Sequence, residues 1–296
     1  MSRTRFKSDS GLTLRMGGVG LGLGALYVAF GALLITQTGF AFGLIITIGL
    51  AWGQWYFSDS LALKSMGAKV VTPEQAPELH AMIDRLCALA DMPKPRVAVA
   101  VTDMPNAFAT GRTPKHSAVC VTTGIMQRLD ADELEGVLAH ELSHVANRDV
   151  SVMTVASSLG LLAGFITRWG MYLGGGRSRG KDGAPFFVVF LASMAVYFIS
   201  FLLTRALSRY RELSADRSGA YLTGRPSKLS SALVKISGEM ARIPNKDLRE
   251  GQAISAFFFA PAINRESVGA LMSTHPPLQQ RLDQLAKVSA ELSEQG

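Results

Sequence analysis

Cysteine is scarce in this chain, with Cys87 and Cys120 as its two cysteines in 296 residues. They lie far apart and match none of the spacings by which cysteine pairs bind metals. This argues against a disulfide-stabilised scaffold and against a cysteine-rich structural zinc site, and it fits a reducing compartment.

Charge is missing from one long stretch near the N-terminus. No Asp, Glu, Lys or Arg occurs from Met16 to Ser58, which is enough chain for two membrane-spanning helices of about 20 residues each. A polar, flexible break near Gly39 predicts that these helices cover residues 17–36 and 40–57. Aromatic residues at the end of the second helix indicate the membrane–water interface; they are Trp52, Trp55 and Tyr56.

Two further uncharged stretches cover residues 150–167 and about 186–204, and a loop rich in Gly and Arg (174–183) joins them. Both are short for spanning helices. A hairpin would return the chain to its starting side, and the basic N-terminal tail places that side in the cytoplasm by the positive-inside rule. The basic loop would then lie outside, so the sequence leaves open whether these stretches cross the bilayer or only dip into it.

The motif His140-Glu141-Leu142-Ser143-His144 carries the chemistry. Histidines four residues apart share one face of a helix and can bind one metal ion, and imidazole nitrogens suit Zn²⁺. Glu141 is placed to take a proton from a water that a metal activates. Asp130 as a cap, with Glu133 three residues later, predicts the start of the helix.

Glu212 is the predicted third metal ligand. It shares a helix face with Asp216, so that Glu212 can bind the metal while Asp216 orients a ligand histidine. The alternative is that both are solvated acids among neighbouring arginines, which is a common and weak arrangement. At 1.5 Å per residue, His144 lies roughly 9 Å before the third uncharged stretch and Glu212 roughly 12 Å after the fourth. If the two stretches form a hairpin, His144 and Glu212 therefore lie at similar heights above the membrane.

The segment Asn106-Ala107-Phe108 lies between two predicted strands, residues 96–101 and 117–122. It fits either an ordinary hairpin connection or an exposed strand edge that binds a substrate peptide as an added strand. An amphipathic helix is predicted over 74–91, and further helices over 227–242 and 277–293. The apolar segment 254–261 fits either packing in the core, which is the preferred interpretation, or contact with lipid headgroups.

His275 precedes two prolines, which fix the chain at the start of a helix. A histidine held there could donate to a tetrahedral oxyanion. His80 and His116 lack any partner pattern and are predicted to lie on the surface.

These motifs, in this order, resemble the bacterial heat-shock protease X (HtpX) family of membrane zinc endopeptidases, which is related to the CAAX prenyl proteases. The resemblance covers nearly the whole chain. It implies one Zn²⁺ ion bound by His140, His144 and Glu212, with Glu141 as general base and His275 aiding transition-state stabilisation. It also implies that Asn106, Ala107 and Phe108 form the substrate-binding edge. By analogy, the activity serves quality control of misfolded membrane proteins.

The predicted fold is therefore mainly α with a small β-sheet: an integral-membrane, gluzincin-like metallopeptidase with about four hydrophobic helices and a cytoplasmic catalytic domain. Four parts are predicted: a tail and membrane hairpin (1–58), the first catalytic part (59–149), a second hydrophobic hairpin (150–204) and the second catalytic part (205–296). The predicted location is the cell membrane, as a multi-pass protein, with unfolded or misfolded membrane proteins as substrates. Anionic lipid accounts for the net charge of +7, so no nucleic acid is needed as a partner.

Two other classes of protein share parts of this pattern. An intramembrane zinc protease carries the histidine motif within a spanning helix, whereas charged residues flank the motif here and place it outside the hydrocarbon. A non-enzymatic scaffold would hold a structural zinc in a closed site. Glu141, and the lack of a fourth Cys or His nearby in the sequence, argue against that scaffold.

Overall fold

The computed structural model describes residues 10–38, 49, 52–53, 55–174, 183–240 and 275–294. Its helices are α1 (Ser10–Thr38), α2 (Ser58–Ser65), α3 (Pro77–Ala90), α4 (Thr123–Arg128), α5 (Ala131–Ala146), α6 (Asp149–Gly174), α7 (Gly183–Thr223), α8 (Pro226–Met240) and α9 (Leu278–Ser293). Its strands are β1 (Lys69–Val70), β2 (Arg96–Ala100), β3 (Ala107–Thr113) and β4 (His116–Thr122). The prediction of a mainly helical chain with a small sheet is confirmed.

Two of the described helices are long and apolar enough to cross a membrane, over Ser10–Leu33 and Phe187–Thr223. Asp149–Gly164 is a shorter apolar helix. Most of the predicted second span (40–57) and the loop 175–182 lie outside the described residues, as does the segment 254–261. A total of about four hydrophobic helices therefore stays a prediction.

Helices α6 and α7 pack against each other as an antiparallel hairpin. Small residues allow their close approach, because a Cβ atom at Gly160 would lie 3.0 Å from Ser200 Oγ and one at Gly164 would lie 3.2 Å from the Tyr197 ring. Thr204 of α7 also donates a hydrogen bond to the carbonyl of Ala156 at 3.2 Å. The third and fourth uncharged stretches thus meet along their length, as the spacing argument requires.

The sheet has the strand order β1-β2-β4-β3. Strands β2 and β4 are parallel, and the other two pairs are antiparallel. The segment that follows Asn106 is therefore strand β3, at one edge of the sheet. A bulge between Gly111 and Thr113 interrupts its pairing with β4.

Helix α5 lies at the centre of the molecule, in contact with the sheet and with α7 and α8. It starts with the predicted capping box, in which Asp130 accepts from the Glu133 amide and Glu133 accepts from the Asp130 amide. Its apolar residues Val137, Leu138 and Leu142 are fully buried in the main core. Burial on all sides fixes the direction in which the polar residues of this helix point.

The surface position predicted for His80 is wrong, whereas His116 is exposed as predicted. His80 is buried in α3, and its Nε2 lies 3.1 Å from the carbonyl oxygen of Val71. A buried imidazole is tolerated at this position because the chain entering α3 supplies a hydrogen-bond partner.

Candidate metal centre

Helices α5 and α7 bring the two halves of the site together. Gly219 of α7 lies directly against the α5 backbone, where a Cβ atom would be 2.8 Å from the amide nitrogen of His140. This close approach turns the α7 carboxylates toward the α5 histidines. Two residues that are far apart in the sequence, His140 and Glu212, thereby lie side by side.

Three candidate ligand side chains converge. The Nε2 atoms of His140 and His144 lie 3.1 Å apart. The Glu212 carboxylate lies 3.4 Å from the His144 nitrogen and 3.7 Å from the His140 nitrogen. The three ligand atoms all lie within 4.8 Å of one another.

These separations fit a small tetrahedral cation. Ligand atoms at about 2.0–2.2 Å from zinc lie roughly 3.3 Å apart in a tetrahedron, close to the distances between the ligand atoms here. The donor set of two imidazoles and one carboxylate is the set found in zinc hydrolases that keep one position open. The residues present therefore fit a zinc ion.

Each histidine has a carboxylate behind it. Nδ1 of His140 lies 2.9 Å from Oδ1 of Asp216, and Nδ1 of His144 lies 2.5 Å from Oδ2 of Asp149. A histidine that offers Nε2 to a metal carries its proton on Nδ1, and a carboxylate partner fixes that tautomer. Sequence reasoning proposed Asp216 but missed Asp149.

Each of these carboxylates is in turn paired with a buried arginine. Arg281 of α9 donates to both oxygens of Asp216, at 2.6 and 2.7 Å, and is 1% exposed. Arg211 pairs with Asp149. The sequence held little signal for either role, since Arg211 lies among several arginines and Arg281 is 65 residues from Asp216.

Glu141 lies between the histidines and β3, the strand at one edge of the sheet. The amide of Ala109 in β3 points away from β4 and donates to Glu141 Oε2 at 2.8 Å. The side chains of Asn106, Ala107 and Phe108 are buried, each 3% exposed or less. The backbone of Asn106 is itself paired with Thr122. Backbone groups alternate along an antiparallel ladder, so Ala107 and Ala109 are the residues whose backbone turns to the outer edge.

His275 lies beside the candidate ligand Glu212, with Nδ1 2.9 Å from Oε2. It is buried and comes three residues before α9 begins. The structure thus brings six of the nine predicted site residues together at the candidate metal centre: His140, Glu141, His144, Glu212, Asp216 and His275. The other three, Asn106 to Phe108, come directly before Ala109 in the chain, and Phe108 packs in a separate core cluster. The role of His275 in oxyanion stabilisation stays a prediction, because its described contact is with a carboxylate.

Burial shifts the pKa values of His140 and Glu141. Burial lowers the pKa of His140 to about 4, although the neighbouring Asp216 opposes this. The imidazole is therefore neutral at pH 7, which metal binding requires. Burial also raises the pKa of Glu141 to about 7. A carboxylate with that pKa can both accept and return a proton near neutral pH.

The fold and this constellation define a membrane metalloprotease. The chain belongs to peptidase family M48, whose sequence profile matches residues 73–289. The matched region contains α5, Glu212 and Asp216.

Full-length relatives agree with this assignment and with the resemblance seen in the sequence. The chain is 55% identical to Protease HtpX homolog 1 of Streptomyces coelicolor, over 99% of this chain and 97% of that protein. It is 52% identical to the Protease HtpX homolog of Moorella thermoacetica, over 99% of both chains. A similar fold occurs in the crystal structure of S. mikatae Ste24p, with a TM-score of 0.57 and 19% identity over 94% of this chain and 67% of that one.

Proposed function

We propose that this protein is a membrane-bound zinc endopeptidase that cleaves unfolded or misfolded membrane proteins on the cytoplasmic side of the cell membrane. His140, His144 and Glu212 would hold the zinc ion, and Glu141 would act as general base. The observation that carries the proposal is the convergence of these three ligand atoms beside a buried glutamate.

The chain's own residues supply the proton transfers and the positioning. The chemistry that zinc supplies when bound is an activated water and a Lewis acid for the scissile carbonyl. Glu141 would accept a proton from the attacking water and return it to the leaving amine. Asp216 would hold His140 in the tautomer that presents Nε2, and His275 would keep Glu212 in place or donate to the oxyanion.

The substrate is proposed to bind along β3 as an added strand. An edge strand presents backbone groups that an extended peptide can pair with. The Ala109 amide points outward and donates to Glu141, so a bound peptide would replace Glu141 as its acceptor. A peptide bound there would lie beside Glu141. Backbone pairing of this kind needs an extended chain, so it favours unfolded segments over folded domains.

The proposed topology places the metal centre just outside the hydrocarbon. Helix α7 has 41 residues, a length of about 60 Å, and the hydrocarbon core is about 30 Å thick. The charged half that begins at Arg205 therefore extends beyond the bilayer. The Arg205 guanidinium lies 4.7 Å from the Phe201 ring centre, an arrangement typical of the interface. On α6, Ser151 accepts from the Trp55 indole at 2.9 Å, and Trp is enriched at the membrane–water interface.

The deciding experiment is cleavage of an unfolded membrane protein by the purified full-length chain in detergent. Wild type, Glu141→Gln and Glu212→Ala would be compared with and without a chelator, and products located by mass spectrometry. We expect Glu141→Gln to bind zinc but lose at least 100-fold in cleavage rate, since a positioned general base contributes about 10²–10⁴-fold. Glu212→Ala should lose zinc.

A matched control is Asp132→Asn, which changes an exposed acid on the same helix and should leave cleavage unchanged. Substantial zinc-dependent cleavage by Glu141→Gln would remove Glu141 as the base. Full zinc content in Glu212→Ala would remove Glu212 from the ligand set. Internal cuts distinguish an endopeptidase from an enzyme that trims chain ends.

A further inference from the structure

We propose that Asp149 is a positioning residue for His144, and that Arg211 acts through Asp149. In this arrangement the metal centre is complete only when the α6–α7 hairpin is packed. The inference rests on the metal site proposed above. It concerns how the membrane helices set the geometry of that site.

The chain turns sharply between α5, which carries the two candidate ligand histidines, and α6. Helix α5 ends at Ala146, and Arg148 adopts φ 56°, the left-handed conformation that only a few non-glycine residues take. Helix α6 then begins at Asp149. This break directs the first side chain of α6 back toward His144, which an uninterrupted helix would not allow.

Asp149 meets His144 and Arg211 at the same time. One carboxylate oxygen lies 2.5 Å from His144 Nδ1, and the other pairs with Arg211 on α7. Asp149 and Arg211 are each only 8% exposed. A buried carboxylate without a partner is costly, and Arg211 supplies a charged partner to the Asp149 oxygen that does not face His144.

The contacts of Asp149 with His144 and Arg211 join three helices at one point. His144 belongs to α5, Asp149 to α6 and Arg211 to α7, and Arg211 is followed directly by the candidate ligand Glu212. Separating α6 from α7 would pull Asp149 from Arg211. It would thereby release the His144 ring while also displacing Glu212.

The other histidine provides an internal comparison. His140 has the equivalent chain of Asp216 and Arg281, but all three lie on α5, α7 and α9, outside the α6–α7 contact. The link through Asp149 thus ties His144 to α6, whereas the chain behind His140 runs through α7 and α9.

The experiment measures zinc affinity of the full-length chain in detergent by competition with a chromophoric chelator. The variants are Asp149→Asn, Arg211→Met and the double variant, with Asp132→Asn as control. Visible spectra of the Co²⁺-loaded forms report ligand geometry directly. Thermal unfolding of the metal-free forms separates loss of the site from loss of the fold.

We expect Asp149→Asn to weaken zinc binding about 10- to 100-fold, the usual effect of removing a partner behind a ligand histidine. The double variant should bind no more weakly than Asp149→Asn, because Arg211 acts through that residue. It also leaves no lone buried charge, so it keeps the test valid if Asp149→Asn alone does not fold. The cobalt spectrum should change in Asp149→Asn and in the double variant. Asp132→Asn should match wild type in both zinc affinity and cobalt spectrum.

Wild-type zinc affinity and an unchanged cobalt spectrum in the double variant would overturn the inference while leaving the proposed function intact. Losses that add across the two single variants would show that Arg211 acts independently of Asp149, and would overturn the coupling. A wild-type chain that binds no zinc would instead refute the metal site itself.

Discussion

Replacing Gly219 with alanine tests whether the contact between α5 and α7 sets the metal centre. The added Cβ would lie 2.8 Å from the His140 amide nitrogen and 3.1 Å from the carbonyl carbon of Ala139. Both partners are backbone atoms in the middle of a buried helix, so neither can turn aside. To restore an ordinary contact of 3.4 Å, α7 must move by about 0.6 Å, because packed interiors have little free space to absorb it.

The expected change in stability is modest, and the expected change in zinc affinity is large. Overpacking costs about 1–3 kcal/mol, and alanine recovers up to about 1 kcal/mol by its better helix propensity. The net loss in the free energy of unfolding is then about 0–2 kcal/mol. Metal sites tolerate ligand displacements of only about 0.2 Å, so a shift of Glu212 relative to His140 should weaken zinc binding at least 10-fold.

The assay is chelator competition for zinc affinity, with thermal unfolding of the metal-free protein in parallel. Gly136→Ala is the matched control, because Gly136 lies on α5 but faces α8, with a Cβ 3.3 Å from Leu229. It should alter stability without altering zinc affinity. If Gly219→Ala binds zinc as tightly as wild type, the contact does not set the separation of the ligands and the reasoning is refuted.

Three further predictions follow from buried charges and thiols. Because burial raises the pKa of Glu141 to about 7 from 4.5, the native metal-free protein retains this proton and loses stability as pH rises from 4.5 to 7. Glu141→Gln should therefore unfold at a higher temperature than wild type above pH 7, and a difference that does not shrink toward pH 4.5 would contradict this. Arg281→Met leaves the buried Asp216 without its charged partner and should cost about 3–5 kcal/mol of unfolding free energy. Arg225→Met, at an exposed pair, should cost less than about 1 kcal/mol, and equal melting temperatures for the two variants would count against this. Burial raises the pKa of Cys87 to about 11 and of Cys120 to about 12, so neither thiol should react with an alkylating reagent at pH 8 until the protein unfolds, as mass spectrometry would show.

Local patterns made the elements and the candidate ligands predictable. The capping box at Asp130 and Glu133, the four-residue spacing of the histidines and the charge-free stretches each reflect interactions within one helix. Glu212 could be selected as well, because His144 and Glu212 lie at similar distances from two apolar stretches that a hairpin brings side by side. Such arguments need only the geometry of a helix and the thickness of a bilayer.

The partners behind the ligands could not be predicted, because they depend on tertiary geometry that leaves no local pattern. Asp149 reaches His144 only through the left-handed turn at Arg148, and arginine at that position gives no hint of positive φ. In an unbroken helix, residues five apart would diverge by more than a quarter of a turn, so the sequence spacing argued against the contact that the structure contains.

Buried arginines form the outermost layer of this candidate site because the carboxylates behind the histidines need charged partners. Asp149 and Asp216 each turn one oxygen toward a histidine inside a buried interior, and the second carboxylate oxygen then needs a charged partner of its own. A guanidinium can reach that oxygen while remaining charged itself, since it is weakly hydrated and does not readily lose its proton. Lysine would meet the charge but not the two-oxygen geometry that Arg281 adopts on Asp216. Each candidate ligand histidine is thus backed by a carboxylate and each carboxylate by an arginine. The two arginines come from α7 and α9, which are far apart in the sequence.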